Sequence, residues 1–233
     1  CPSKAVQKGR FGASLMKDKS LVKNCLDAMQ INKNIEISIK CRIGLGKKFD
    51  YEYFEEFIDE ILKSGIKIVY VHARNAILTG ISPKNNRTIP PLNYEFILRI
   101  KKKFPNITFI LNGGIKNIEE ALELSKFHDG VMLGRLIQNN PFCLKNVDQL
   151  FYNQSTNYII SENTIKKYFS YIRPKIGTDS IYRLLSPLLN IFFGVEDSKQ
   201  YKIEIHTKMK EENFDILEKV FLNFVREKKI IIN

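Results

Sequence analysis

Between residues 17 and 145, short apolar runs alternate with amphipathic stretches, and turn residues separate them. Compact runs rich in Ile and Val suit strands covered on both faces, whereas apolar positions three and four apart mark one face of a helix. The pattern predicts strands over 35–41, 66–72, 107–111 and 130–133, with helices near 18–30, 51–64, 92–103 and 117–126. In the second of these helices Phe54, Phe57, Ile58, Ile61 and Leu62 share one stripe, Glu52, Glu55, Glu56, Asp59 and Lys63 lie elsewhere, and Gly65 ends it. Strand and helix in alternation point to an α/β fold built on a parallel sheet or barrel. Past the polar stretch 153–157 the pattern is helical only, near 162–173, 178–193, 198–208 and 211–228. The expected division is therefore an α/β part over 1–148 and an all-α helical domain over 149–233, with no internal repeat beyond the βα unit.

The 233 residues and 44% hydrophobic content suffice for a sizeable core in one domain or in one domain plus a small second one. No run of about 18 apolar residues is present, so no transmembrane helix is expected. The four cysteines, Cys1, Cys25, Cys41 and Cys143, have neither CxxC spacing nor histidines at metal-ligand intervals, which argues against a zinc site and a disulfide framework. The net charge of +12 favours a polyanionic partner such as nucleic acid, although a lysine-rich composition throughout would give the same surplus. The surplus is uneven: residues 1–150 carry 24 basic and 15 acidic side chains, residues 151–233 carry 13 and 10.

Four predicted strand ends carry polar chemistry. Lys40 and Arg42 stand at the end of the first, His72 and Arg74 at the end of the second, Asn112-Gly113-Gly114 at the third and Gly134-Arg135 at the fourth. The C-terminal rim of a parallel barrel is where active sites are built, and its last two strand ends commonly bind phosphate. Glycine lets backbone approach a ligand and helix starts offer unpaired amides, so the two glycine turns make a candidate anion cradle; tight turning alone is the alternative. Lysine beside a cofactor can stabilise negative charge, and histidine can donate a hydrogen bond or a proton. The loop 78–91 is long for a βα connection and holds Lys84, Asn85, Asn86 and Arg87, which suits either phosphate contacts or a solvated loop. His128 and His206 read as surface or helix-end residues.

The strings CPSKAVQKGRFGASLM, SIKCRIG, VHARNAILTGISPKNNRTIPPLNYE, LNGGIKNIEEA and DGVMLGRLIQNNP, in unbroken order, resemble the A-type dihydrouridine synthases, the tRNA-dihydrouridine(20/20a) synthases. The resemblance is close over residues 1–145 and looser through Lys208. It implies an FMN-dependent (β/α)8 TIM barrel followed by a helical tRNA-binding domain. By motif match Cys1 takes the place of the family's active-site cysteine, the general acid at C5 of uracil, while hydride passes between reduced FMN and C6. Lys40 and His72 match positions that contact the flavin ring, and Asn112, Gly113, Gly114, Gly134 and Arg135 match the FMN-phosphate cradle. Lys84 and Arg87 match tRNA contacts, and Lys199 and Lys202 stand where the subfamily usually has arginines, a change that keeps charge but loses bidentate geometry.

The resemblance also implies a stretch before the cysteine that supplies the first four barrel strands and part of the flavin pocket. The expectation is thus an N-terminally truncated chain holding the C-terminal half of a barrel, inactive or poorly folded alone because strand edges stay exposed. NADPH is the expected reductant and tRNA the expected partner, with no membrane, no metal, a monomer, and a cytoplasmic location unless a missing N-terminus targets an organelle. Two other readings stay open: an FMN-barrel oxidoreductase acting on a small molecule, and a non-catalytic RNA-binding or chaperone module.

Overall fold

The computed structural model describes residues 3–31, 34–155, 162–210 and 213–228. The chain forms two compact units, Cys1–Gly134 and Arg135–Asn233. The first begins with α1 (Lys4–Lys8) and α2 (Lys19–Met29), then alternates β1 (Ser38–Arg42), α3 (Tyr51–Leu62), β2 (Ile68–His72), α4 (Glu95–Lys103), β3 (Thr108–Asn112), α5 (Ile118–Ser125) and β4 (Gly130–Met132). The four strands form one parallel sheet in sequence order, β1-β2-β3-β4, so each helix crosses over between neighbouring strands. All four strands and the four helices expected beside them are present, within a few residues of their predicted bounds.

Local chemistry sets the helix starts. Asp18, Asp50 and Asn117 cap α2, α3 and α5, each side chain accepting a hydrogen bond from the amide three residues on, at Leu21, Tyr53 and Glu120. Alternation along the strands then sorts side chains onto two faces. Cys41, Val69, Val71, Phe109 and Leu111 point to the buried face and join Phe54, Phe57, Ile58, Ile61, Ile97 and Ile100 from the helices in one core. Full burial of each large side chain contributes about 1.5–3 kcal/mol of hydrophobic stabilisation before entropy is counted. On the other face Lys40 is exposed and Tyr70, Ile110 and Asn112 are half-buried.

The second unit contains α6 (Arg135–Asn139), α7 (Val147–Tyr152), α8 (Glu162–Ile172), α9 (Ile181–Leu185), α10 (Ser198–Met209) and α11 (Phe214–Glu227). The division falls at Gly134, ahead of the boundary expected after residue 148, so α6 and α7 belong with the helices that follow. The helix expected over 178–193 is cut short after Leu185. Pro187 explains this, because it has no amide to donate to the Arg183 carbonyl, which accepts from the Ser186 hydroxyl at 3.0 Å instead. Leu188 and Leu189 remain buried, but in turns. The core of this unit is aromatic: the Phe192 ring lies 4.7 Å from Phe224 and 5.0 Å from Tyr201, and Phe169 lies 5.6 Å from Phe221.

Candidate active site

Parallel register brings the strand ends of the first unit level with one another. Arg42, His72, Asn112 and Met132 form one row across the sheet. Lys40, one inward-outward period earlier on β1, reaches across β2 so that its Nζ donates to Asn112 Oδ1 at 2.9 Å. The Asn112 amide Nδ2 donates in turn to the Met132 carbonyl at 2.8 Å, which ties β1, β3 and β4 together at their C-terminal ends. Desolvation over the sheet holds the Lys40 ammonium below the usual lysine range; the Cys41 thiol beside it opposes the shift and Arg42 adds to it. Cys41 itself faces the core, where burial pushes its thiol up to about 12 and keeps it unreactive.

The Asn112-Gly113-Gly114 turn is built against protein. Gly113 has φ +113° and a Cβ there would lie 2.9 Å from the His72 ring atoms Cδ2 and Nε2. Gly114 has φ +80°, and a Cβ there would collide with Leu92 and sit 3.0 Å from the Tyr94 hydroxyl. That hydroxyl donates to the Gly113 carbonyl at 2.7 Å. Both glycines are therefore required by close approach of His72, Leu92 and Tyr94 and by positive φ, a cause the sequence reading did not separate from ligand approach. Gly134 differs, since a Cβ there would meet nothing within 4 Å, so crowding by neighbours does not require glycine at that position. Arg135 is the first residue of α6 and belongs to the second unit.

A second cluster gathers where β1 ends. Arg42 donates from Nη1 to the carbonyls of Asn75, at 3.1 Å, and Asn86, at 2.8 Å. Burial, then the neighbouring Arg74 and Arg87, lower the Arg42 guanidinium to about 10. Lys84 and Arg87 are exposed on the loop, flanking Asn86. Three stretches that run from a strand into its following loop, 38–49, 68–94 and 108–118, contain eight Lys and Arg and no Asp or Glu. The first acids after each are Asp50, Glu95 and Glu119, at the helix starts. Sequence reading noted the basic excess of the first part but missed this partition, which the strand assignments alone could have exposed. It also missed Tyr94 and Asn86 as supports of the site.

Cys1 lies outside the described residues. In the second unit Lys199 is exposed on α10, whereas Lys202 donates to Asn190 Oδ1 at 3.0 Å, and Asn190 donates to the Gln138 carbonyl at 2.9 Å. Among the described residues no three His, Cys, Asp or Glu side chains group as a metal site. None of the described helices is long and apolar enough to cross a membrane.

The dihydrouridine synthase family model matches residues 1–227 of the chain. The chain belongs to this family. It is 36% identical over 204 residues to the tRNA-dihydrouridine(20/20a) synthase of Pasteurella multocida, covering 87% of the chain and 62% of that protein. It is 37% identical over 204 residues to the Yersinia pestis protein of the same name, covering 87% and 59%. A shorter match, 44% identical over 148 residues, covers 64% of the chain and 44% of the Xanthomonas campestris protein, again a tRNA-dihydrouridine(20/20a) synthase. The chain thus spans about 60% of the length of the first two relatives. A parallel α/β sheet with polar strand ends agrees with membership; the described sheet has four strands, with β1 and β4 at its edges.

Proposed function

We propose that this chain serves the FMN-dependent reduction of uridine to 5,6-dihydrouridine in the D-loop of tRNA, as part of a TIM barrel. The observation that carries the reading is the Lys40–Asn112 pair set beside the Gly113-Gly114 turn, on a strand-end surface whose loops are basic and free of acids. Bound FMN would supply hydride to C6 of uracil and be recharged by NADPH. Lys40 and His72 would face the flavin ring, the ammonium offering charge to an electron-rich ring and the imidazole a hydrogen bond. Asn112, Gly113, Gly114, Gly134 and Arg135 would hold the phosphate. Cys1 would give the proton to C5, which a thiol can do and solvent can restore.

The target base has to leave its stack to reach a flavin, at a cost of a few kcal/mol. Grip on the surrounding backbone offsets that cost, and Lys84, Arg87, Lys199 and Lys202 are the side chains proposed for it. The deciding experiment supplies the full-length gene product with unmodified tRNA and NADPH and reads the D-loop by mass spectrometry. Dihydrouridine is the expected product, and Cys1→Ala should keep bound FMN while losing turnover. A yellow protein that leaves tRNA unchanged would instead mark a small-molecule oxidoreductase, and a colourless one that binds tRNA an RNA-binding module.

A further inference from the structure

Asn86 is the least exposed polar residue among the described ones, at 0%, yet it sits in a single 3-10 turn, Asn85–Arg87, within the long loop after β2. A buried amide in such a place is stable only if its donors and acceptor are paired. Its Oδ1 accepts from the Ile77 amide at 2.8 Å, and its Nδ2 donates to the Ile77 carbonyl at 2.9 Å and to the Ser82 carbonyl at 3.4 Å. The side chain therefore pairs with residue 77 as a neighbouring strand would, closing the loop on itself. Its backbone amide donates to Ser82 O at 2.9 Å, and its carbonyl accepts from Arg42 at 2.8 Å. Arg42 stands two residues beyond Lys40 on β1, and Lys40 is bonded to Asn112 at the glycine turn.

A path thus runs by hydrogen bonds from β4 through Asn112 to Lys40, along the β1 backbone to Arg42, and by a further hydrogen bond to Asn86. Lys84 and Arg87, the exposed cations of the loop, lie two residues before Asn86 and one after it. A long loop without such a clasp would present these two charges in many arrangements, and each arrangement would have to be given up on binding.

We infer that Asn86 is a positioning residue that fixes Lys84 and Arg87 relative to the strand ends, so that the loop grips RNA phosphates at a set distance from the reacting base. The inference rests on the tRNA reading above. Asn86 touches neither the RNA nor the cofactor; it acts through the two cations, and this distinguishes it from a residue that merely keeps the fold together.

The test measures binding of unmodified tRNA by the full-length protein as a function of salt, for wild type, Asn86→Ala, the double variant Lys84→Ala/Arg87→Ala, and the triple combination. Asn86→Ala should weaken binding about tenfold and flatten the plot of log K against log salt by about one to two phosphate contacts, at roughly 0.7–0.9 per contact. It should retain FMN, read by absorbance. In its background, removing Lys84 and Arg87 should cost much less than in wild type, because charges that are no longer placed have little left to lose. Unchanged tRNA affinity and salt slope in Asn86→Ala, or strict additivity in the triple variant, would overturn the inference. Should the alanine protein fail to fold, Asn86→Ser is read by the same two criteria. A wild-type protein that does not bind tRNA at all would overturn the functional reading itself.

Discussion

The two units solve the problem of order in different ways. In the first, backbone ladders set the register of four strands, and aliphatic side chains such as Val69, Val71, Ile97 and Leu111 fill the space behind them. In the second, α8, α9, α10 and α11 pack around rings, among them Phe169, Phe192, Tyr201, Phe221 and Phe224, and side-chain contacts, with ion pairs such as Arg226–Glu162 at the surface, set their positions. Chemistry follows the difference. A ladder carries Arg42, His72 and Asn112 to one row with little freedom and sets Lys40 two residues earlier on β1, within reach of Asn112, so the polar cluster sits where backbone geometry is fixed.

The sharpest way to break the comparison is to remove one ring. Phe192 is fully buried against Tyr201, Phe221 and Phe224, so Phe192→Ala should cost about 3–5 kcal/mol, read by chemical denaturation followed by circular dichroism. Ile58→Ala, on α3 of the first unit, should cost about 2–5 kcal/mol. If loss in the second unit is no greater than in the first, side-chain packing is not what distinguishes it. A smaller effect is expected at Gly113→Ala, where a methyl group would meet the His72 ring at 2.9 Å and φ is +113°. The cost should be about 1–3 kcal/mol, with weaker flavin retention measured by absorbance after gel filtration.

The mildest test uses thiols. Cys25 is exposed and Cys41 buried, its pKa raised to about 12. Between the ordinary thiol value of 9.0 and that raised value the folded protein holds the Cys41 proton more tightly than the unfolded chain. Stability supplied by this difference is therefore complete below the ordinary value and is lost as pH climbs towards 12. At pH 8 a thiol reagent should modify Cys25 promptly and Cys41 only after denaturant is added; prompt reaction of both would show that the sheet's covered face opens.

Much of the first unit was legible in the chain. Strands over 35–41 and 66–72 and helix 51–64 announce themselves because burial on a sheet imposes short β-rich runs, and burial on one helix face imposes a stripe. The second unit was less legible: Leu184, Leu185, Leu188 and Leu189 have helical spacing, but Pro187 ends the helix between the pairs and burial persists without it. The boundary after 148 followed a polar stretch, whereas compactness places α6 and α7 with the later helices.

Sequence by itself determined the family, the parallel α/β character, the positions of Lys40, His72 and Asn112 at strand ends, and the basic balance. These depend on local composition and on strings of residues in order, which the chain carries directly. Tertiary structure alone decided that Lys40 bonds Asn112 across an intervening strand, that Gly113 and Gly114 make room for His72, Leu92 and Tyr94, and that a buried Asn86 clasps the loop holding Lys84 and Arg87. Those relations join residues up to 72 positions apart, and only the register of paired strands brings such residues within hydrogen-bonding distance.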